Sequence, residues 1–375
     1  MRFLLFGTAF IGVLALMNRY VYKRFFCVSH FKIKRPGKIF LLSLFLVQIF
    51  FVIETIFNFF VNAQLFYYLL SLSVGITLVL FFTTLLYDLL HTSAKFVPFD
   101  KGRRKFIKIA FDATMIILAL SYLLSGLIGG LKKPAMNHKK IKIKNFPFED
   151  FKIVQLSDLH VGLTFTEAFV KECVERINAQ KPDMVVITGD LVDLKIEKIK
   201  HKLEPLRDLQ SRYGTFYVLG NHEYYHGAAS IVKHLRTLGI APLLNENTLI
   251  GQNGKKFNLV GINDLISKRM NTMPYDIDQA FKGVDNSKCT IVLAHQPKTV
   301  AIVQHMQYDL MISGHTHGGQ IFPFGLLVII DQPYLAGLYQ VDKKKQIFVS
   351  RGAGYWGPPV RVLAPSEISV LHISG

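Results

Sequence analysis

The chain has 375 residues, half of them hydrophobic and 31 of them Phe, a composition too apolar for an ordinary soluble protein in a chain long enough for about two domains. Its net charge of +18 is unevenly spread, since residues 1–145 hold 20 Lys and Arg against 4 acidic residues and the remainder 24 against 22. Base concentrated beside apolar segments marks membrane topology and argues against a nucleic-acid partner, and Cys27, Cys173 and Cys289 build neither a CxxC site nor an even disulfide framework.

In chain order, the first apolar run is Phe3 to Met17, which fits a fourth span, a signal anchor or a signal sequence, although no A-x-A-like cleavage site follows it. Ile39 to Val61, Leu65 to Leu90 and Ile107 to Leu131 each reach the ~20 residues a helix needs to cross a bilayer. Residues 1–131 are therefore expected to be a helical transmembrane region. Bases cluster between Arg19 and Lys38 and again at Lys95, Lys101, Arg103, Arg104 and Lys105, whereas the turn Asn62-Ala63-Gln64 has none. Placing both basic loops inside puts everything after Leu131 outside the cytoplasm of a bacterial inner or plasma membrane. The lysines from Lys132 to Lys144 oppose that sidedness, unless they lie against anionic head groups, and 132–150 reads as a basic linker. Arg103-Arg104-Lys105-Phe106-Ile107 reads either as an internal twin-arginine signal or as an ordinary basic flank. Gln48, Glu54 and Asn58 fall inside the first long span, too few for a transport pathway, while Asp88 and Asp112 sit near span ends where interfacial water would serve them.

From Phe151 the pattern changes. FKIVQLSD, DMVVITGD, GTFYVLGN, FNLVGIND, CTIVLAHQ and YDLMISGH read as buried strands that stop at loop residues. Thr166 to Gln180, Ala228 to Leu238 and Lys298 to Gln307 read as helices between them. The alternation is that of an α/β domain over 151–375. Ligands of open α/β folds bind beyond the carboxyl ends of the strands. Those ends carry Asp158 and His160, Asp190 and Asp193, Asn221 and His222, His295, and the pair His315 and His317 set among glycines. Any one of these could cap a helix or hold a turn. Collected from five strand ends, hard oxygens and imidazoles without a thiol are the composition of a metal site.

The blocks Asp158-Leu159-His160, Gly189-Asp190-Leu191-Val192-Asp193, Gly220-Asn221-His222-Glu223, Ala294-His295 and Gly314-His315-Thr316-His317 resemble, in order and spacing, the signature of the calcineurin-like metallophosphoesterases. Gly318-Gly319-Gln320-Ile321 and Ser350-Arg351-Gly352 are similar to a membrane-associated bacterial branch. The resemblance covers about Phe151 to the C-terminus and implies a four-layer α/β/β/α sandwich. It further implies that Asp158, His160 and His317 hold one metal, that Asn221, His295 and His315 hold a second, and that Asp190 bridges them. His222 would face the leaving group off the metals, with Asp193 behind it. Glu223 stands where many members have Asp.

Two such cations would take up charge on phosphoryl oxygens and lower the pKa of a shared water, with His222 assisting departure of the leaving oxygen. The mixed oxygen and nitrogen donors fit Mn²⁺ best, with Fe or Zn²⁺ as alternatives. A domain tethered past a span meets membrane lipids at high local concentration. The expected phosphate-ester substrate is accordingly a phosphodiester or pyrophosphate of a lipid or cell-envelope precursor. Arg269, Arg351 and Arg361 are candidate anion contacts that could equally be ordinary surface arginines. The competing reading is a non-catalytic membrane scaffold or sensor that keeps the metal-binding fold.

Overall fold

The computed structural model describes residues 2–57, 59, 64–94 and 101–375; Asn58, Asn62, Ala63 and Lys95 lie outside them. Two compact units divide the chain: residues 1–131 with 356–362, and residues 132–355 with 363–375.

The first unit is helical, with α1 (Arg2–Val21), α2 (Lys34–Phe57), α3 (Gln64–Ala94) and α4 (Lys101–Leu131). Among the described residues, Lys34–Phe57, Gln64–Thr92 and Lys105–Leu131 are long and apolar enough to cross a membrane. α2 and α4 begin in the basic flanks before their apolar runs because Lys and Arg are good helix formers. Leu14 packs with Phe51, Val52, Leu70 and Val74 in a core built by α1, α2 and α3. Inside the bundle, Gln48 accepts from Asn18 Nδ2 at 2.9 Å and donates to Thr77 Oγ1 at 2.6 Å and Ser73 O at 3.0 Å. Thr77 donates back to Asn18 Oδ1 at 3.1 Å, which closes the ring.

Asp112 departs from the expectation of interfacial water. It is fully buried and accepts from Tyr87 Oη at 2.8 Å, Ser29 Oγ at 3.2 Å and the His30 backbone N–H at 2.6 Å. A buried carboxylate needs such donors. Residues 356–362 pack against the end of α4, where Arg361 N–H donates to Gly126 O. Glycine permits the approach, since a Cβ at Gly129 would stand 2.2 Å from Arg361 O and one at Gly130 2.2 Å from Pro359 O. The expected boundary of 151–375 thus gives up this segment, including the buried Arg361, to the helical unit.

The second unit contains β1 (Ala135–Lys142), β2 (Phe151–Leu156), α5 (Glu167–Asn178), β3 (Met184–Ile187), α6 (Ile196–Leu203), β4 (Thr215–Tyr217), α7 (Asn221–His226) and α8 (Ala228–Thr237). It continues with β5 (Ala241–Pro242), β6 (Glu246–Gln252), β7 (Lys255–Gly261), α9 (Ile266–Met270), α10 (Ile277–Phe281), β8 (Thr290–Leu293), α11 (Thr299–Ile302) and β9 (Leu310–Ser313). α12 (Gly325–Asp331), β10 (Gly337–Gln340), β11 (Gln346–Val349) and β12 (Glu367–Ser374) complete it. Among the described residues the strands form two six-stranded sheets, ordered β1-β12-β2-β3-β4-β5 and β10-β11-β9-β8-β7-β6.

The period-two alternation of the strands divides their side chains between two cores. Ile153, Val186, Leu259, Ile291, Leu293 and Ile312 fill the space between the sheets. Val260, Val292 and Met311 face the other way, toward Val300 of α11 and Ala280 of α10. The result is the α/β/β/α sandwich. Within 132–150, expected as a basic linker, Ala135–Lys142 forms β1, paired in parallel with β12 from Ala135↔Glu367 to Lys142↔Ser374. Its Lys-Ile-Lys-Ile-Lys run alternates, with Ile141 and Ile143 buried and Lys140, Lys142 and Lys144 exposed. Lysines on an edge strand also block pairing with another chain.

Candidate metal centre

The parallel strands β2, β3, β8 and β9 bring four loops to one end of the two sheets. The chain turns sharply there. Asp158 (φ 53°), His160 (φ 51°), Asp190 (φ 50°), His315 (φ 73°) and His317 (φ 51°) all adopt the left-handed conformation, five of the thirteen non-glycine residues that do so among those described. Each such backbone costs about 1–3 kcal/mol and persists only where the surroundings enforce it. Here the turns aim side chains inward. Gly314 and Gly220 make room, because a Cβ would lie 2.3 Å from Asp158 Oδ2 at the first and 2.3 Å from Asp190 Oδ1 at the second.

Three groups of donor atoms converge: Asp158 with His160 and His317, Asp190 with His295 and His315, and His160 with Asp193 and His222. His160 Nε2 lies 3.0 Å from His317 Nε2, and Asp158 Oδ1 3.7 Å from the same nitrogen. His295 Nε2 is 3.1 Å from Asp190 Oδ2, 3.2 Å from Asn221 Oδ1 and 3.1 Å from His315 Nδ1. Asp190 Oδ2 stands 3.9 Å from both His160 Nε2 and His222 Nε2, between the first two groups. His315 and His317, one residue apart, therefore turn to different groups. All nine residues expected from the sequence come together.

The outer atoms of the imidazoles fix their inner ones. His295 Nδ1 lies 2.7 Å from Thr188 O, a bond only its N–H can make, which leaves Nε2 facing Asp190. His160 Nδ1 lies 2.7 Å from Asp193 Oδ1 in the same way, and His222 Nδ1 lies 2.7 Å from that oxygen. Burial opposes ionisation of Asp193, but the imidazoles of His160 and His222 outweigh it and hold its carboxyl well below the usual range. Burial likewise disfavours charge on His222, yet Asp190 and Asp193 override it and push its pKa up to about 9. His315 is driven down to about 3 by burial and by the neighbouring His295. Imidazole nitrogens packed at 3.0–3.1 Å from one another and carboxylates that require positive charge are a donor set suited to divalent cations.

Glu223 has a larger part than its place in a motif conveys. Fully buried, its carboxylate accepts from the backbone N–H of Gly220 at 2.7 Å, Asp190 at 3.0 Å, Leu191 at 2.7 Å and Val192 at 3.3 Å. It ties the loop carrying Asp190 to the first turn of α7, which carries Asn221 and His222. The legible signal was its position three residues after the helix-opening Gly220, that of a capping carboxylate. Of the candidate arginines, Arg351 pairs through Nη1 with Glu367 Oε2 at 2.9 Å, with its side-chain stem against Gly318, and Arg269 is an exposed residue of α9.

Residues 151–319 match the calcineurin-like phosphoesterase family. The chain is 35% identical over 381 residues to an uncharacterized metallophosphoesterase of Campylobacter jejuni, covering all of both chains. It is 45% identical over 274 residues to an uncharacterized metallophosphoesterase of Helicobacter pylori, covering 73% of this chain and 72% of that one. It is also 34% identical over 285 residues to a transmembrane protein with metallophosphoesterase domain of Bos taurus, covering 72% of this chain and 64% of that one. With strand ends, loops and relatives in agreement, the chain belongs to the calcineurin-like metallophosphoesterases and is a metal-dependent phosphoesterase with three candidate membrane spans among its described residues.

Proposed function

We propose that the chain hydrolyses a phosphodiester or pyrophosphate of a lipid or cell-envelope precursor at a centre of two divalent cations, Mn²⁺ by preference. The observation that carries the reading is the left-handed backbone at Asp158, His160, Asp190, His315 and His317, which concentrates donor atoms at one place. Asp158, His160 and His317 would hold one cation and Asn221, His295 and His315 the other, with Asp190 shared. When bound, the cations supply Lewis-acid charge for the phosphoryl oxygens and lower the pKa of water toward neutrality. His222, its Nδ1 2.7 Å from Asp193 Oδ1, would donate from Nε2 to the leaving oxygen. Asp193 orients both His222 and His160 from their Nδ1 sides. Glu223 holds the two loops in register.

A chain fixed in a bilayer supports a substrate that resides there, and the base-rich loops before α2 and within the start of α4 support an extracytoplasmic catalytic unit. The test is release of p-nitrophenol from its bis ester by the full chain, present with added Mn²⁺ and lost in Asn221→Ala. Screening lipid-linked against soluble phosphodiesters identifies the substrate class, and protease accessibility in intact cells the sidedness. No turnover of any phosphate ester with cations bound would favour the scaffold reading.

A further inference from the structure

Among the described residues of the catalytic unit, eight large apolar side chains are exposed, and six of them are Phe322, Phe324, Leu326, Leu327, Ile329 and Ile330. They fall in the nine-residue stretch FPFGLLVII, which contains no charge. Ile330 is 81% exposed and Leu326 60%. A helix this apolar belongs in a core or in lipid, yet only Gly325 of α12 is buried. At ~100° per residue the exposed apolar side chains of α12 spread over an arc of roughly 160°, with Gly325 and Val328 on the remaining side.

The helix is fixed to the metal centre at both ends. A Cβ at Gly319, two residues past His317, would lie 2.4 Å from Gly325 Cα. Thr316, between the histidine pair, donates to Leu335 O at 2.5 Å. At the far end, Gln332 donates from Nε2 to Gln296 Oε1 at 3.2 Å and accepts at Oε1 from the Lys298 backbone N–H at 3.1 Å, both residues close after His295. Asp331, the one charged residue of α12, pairs with Lys298 Nζ at 2.8 Å. The apolar arc is thus carried by the loops of His295, His315 and His317.

We propose that α12 and its Phe322-Pro323-Phe324 approach lie in the head-group layer of the bilayer and seat the catalytic unit on it. The occupant is a lipid surface because the chain already carries three helices long and apolar enough to cross a membrane, so that surface is present at high effective concentration without a second binding event. An uncharged apolar arc also matches an in-plane interfacial helix. The seating does not depend on the substrate; its consequence, that a phosphoester reaches the histidine loops from the lipid, rests on the function proposed above.

The full chain reconstituted in nanodiscs tests this. Its single tryptophan, Trp356, is replaced by Phe and a reporter introduced as Ile330→Trp. Seating predicts that brominated lipids quench the reporter by about twofold or more, with little quenching by acrylamide. Equal emission in brominated and plain discs, with free access to acrylamide, overturns the proposal. So does crosslinking of Ile330→Cys to a second copy without bromolipid contact in the Trp variant. Separately, Leu326→Glu with Ile330→Glu should lower the ratio of lipid-borne to soluble phosphodiester turnover by about tenfold. Quenching with an unchanged ratio leaves the seating intact and removes the lipid substrate.

Discussion

Two clusters of buried polar side chains, one in each unit, obey opposite rules. In the helical unit, Asn18, Gln48 and Thr77 satisfy one another in a ring, and Asp112 meets three donors. Every polar atom finds a complementary one, as burial in an apolar setting demands. In the catalytic unit, imidazole nitrogens face one another at 3.0–3.1 Å on strained backbone, pairs in which one nitrogen must carry a proton for any bond to form. Polar burial alone does not mark a site; metal-ligand side chains gathered on strained backbone do.

The comparison breaks if the catalytic cluster proves self-sufficient. Asp190→Ala should therefore lower phosphodiester turnover by roughly 10³-fold or more, as for loss of a preorganised charge-stabilising group, while Asp190→Ala remains folded by circular dichroism. Near-normal turnover would remove Asp190 from the centre. Chelation of the holoprotein should abolish turnover and lower the unfolding temperature of the catalytic unit. Ligand linkage at free cation a thousandfold above Kd gives about 4 kcal/mol, and an unchanged calorimetric transition would show that no cation stabilises the fold.

Glu223→Ala leaves four backbone N–H groups without their acceptor. The expectation is a 10- to 100-fold loss of turnover, as for outer partners of metal ligands, with Glu223→Gln recovering part of it through its remaining carbonyl oxygen. Equal stability of the Ala variant in a urea titration would contradict this account. On the helical side, Asp112→Ala should destabilise the bundle by roughly 1–3 kcal/mol, read as a lower midpoint in a detergent-denaturation series, with turnover per folded molecule retained. Gln48→Leu should cost least, about 0.6–1.7 kcal/mol per interhelical bond lost. A large loss of turnover in Gln48→Leu would show that the ring has a role beyond packing.

Strand ends were legible because buried strands stop abruptly at polar residues, and the spans because twenty apolar residues have few other uses. The edge strand Ala135–Lys142 was hidden by its lysines, which drew attention to charge when the informative feature was the alternation of Ile141 and Ile143. Glu223 could be placed next to Asn221 and His222 in the chain, but its four backbone partners span Asp190 to Gly220.

By itself the sequence determined the strands that end at the donor residues, the positions of the long apolar runs and which side chains offer metal-ligand atoms, since hydrophobic period and residue chemistry are local. Only the tertiary structure decided that His315 and His317 part company, that residues 356–362 join the helical unit, and that FPFGLLVII is left uncovered. Those outcomes depend on which distant segments come to lie alongside, and burial and convergence are properties of pairs of segments that no local pattern encodes.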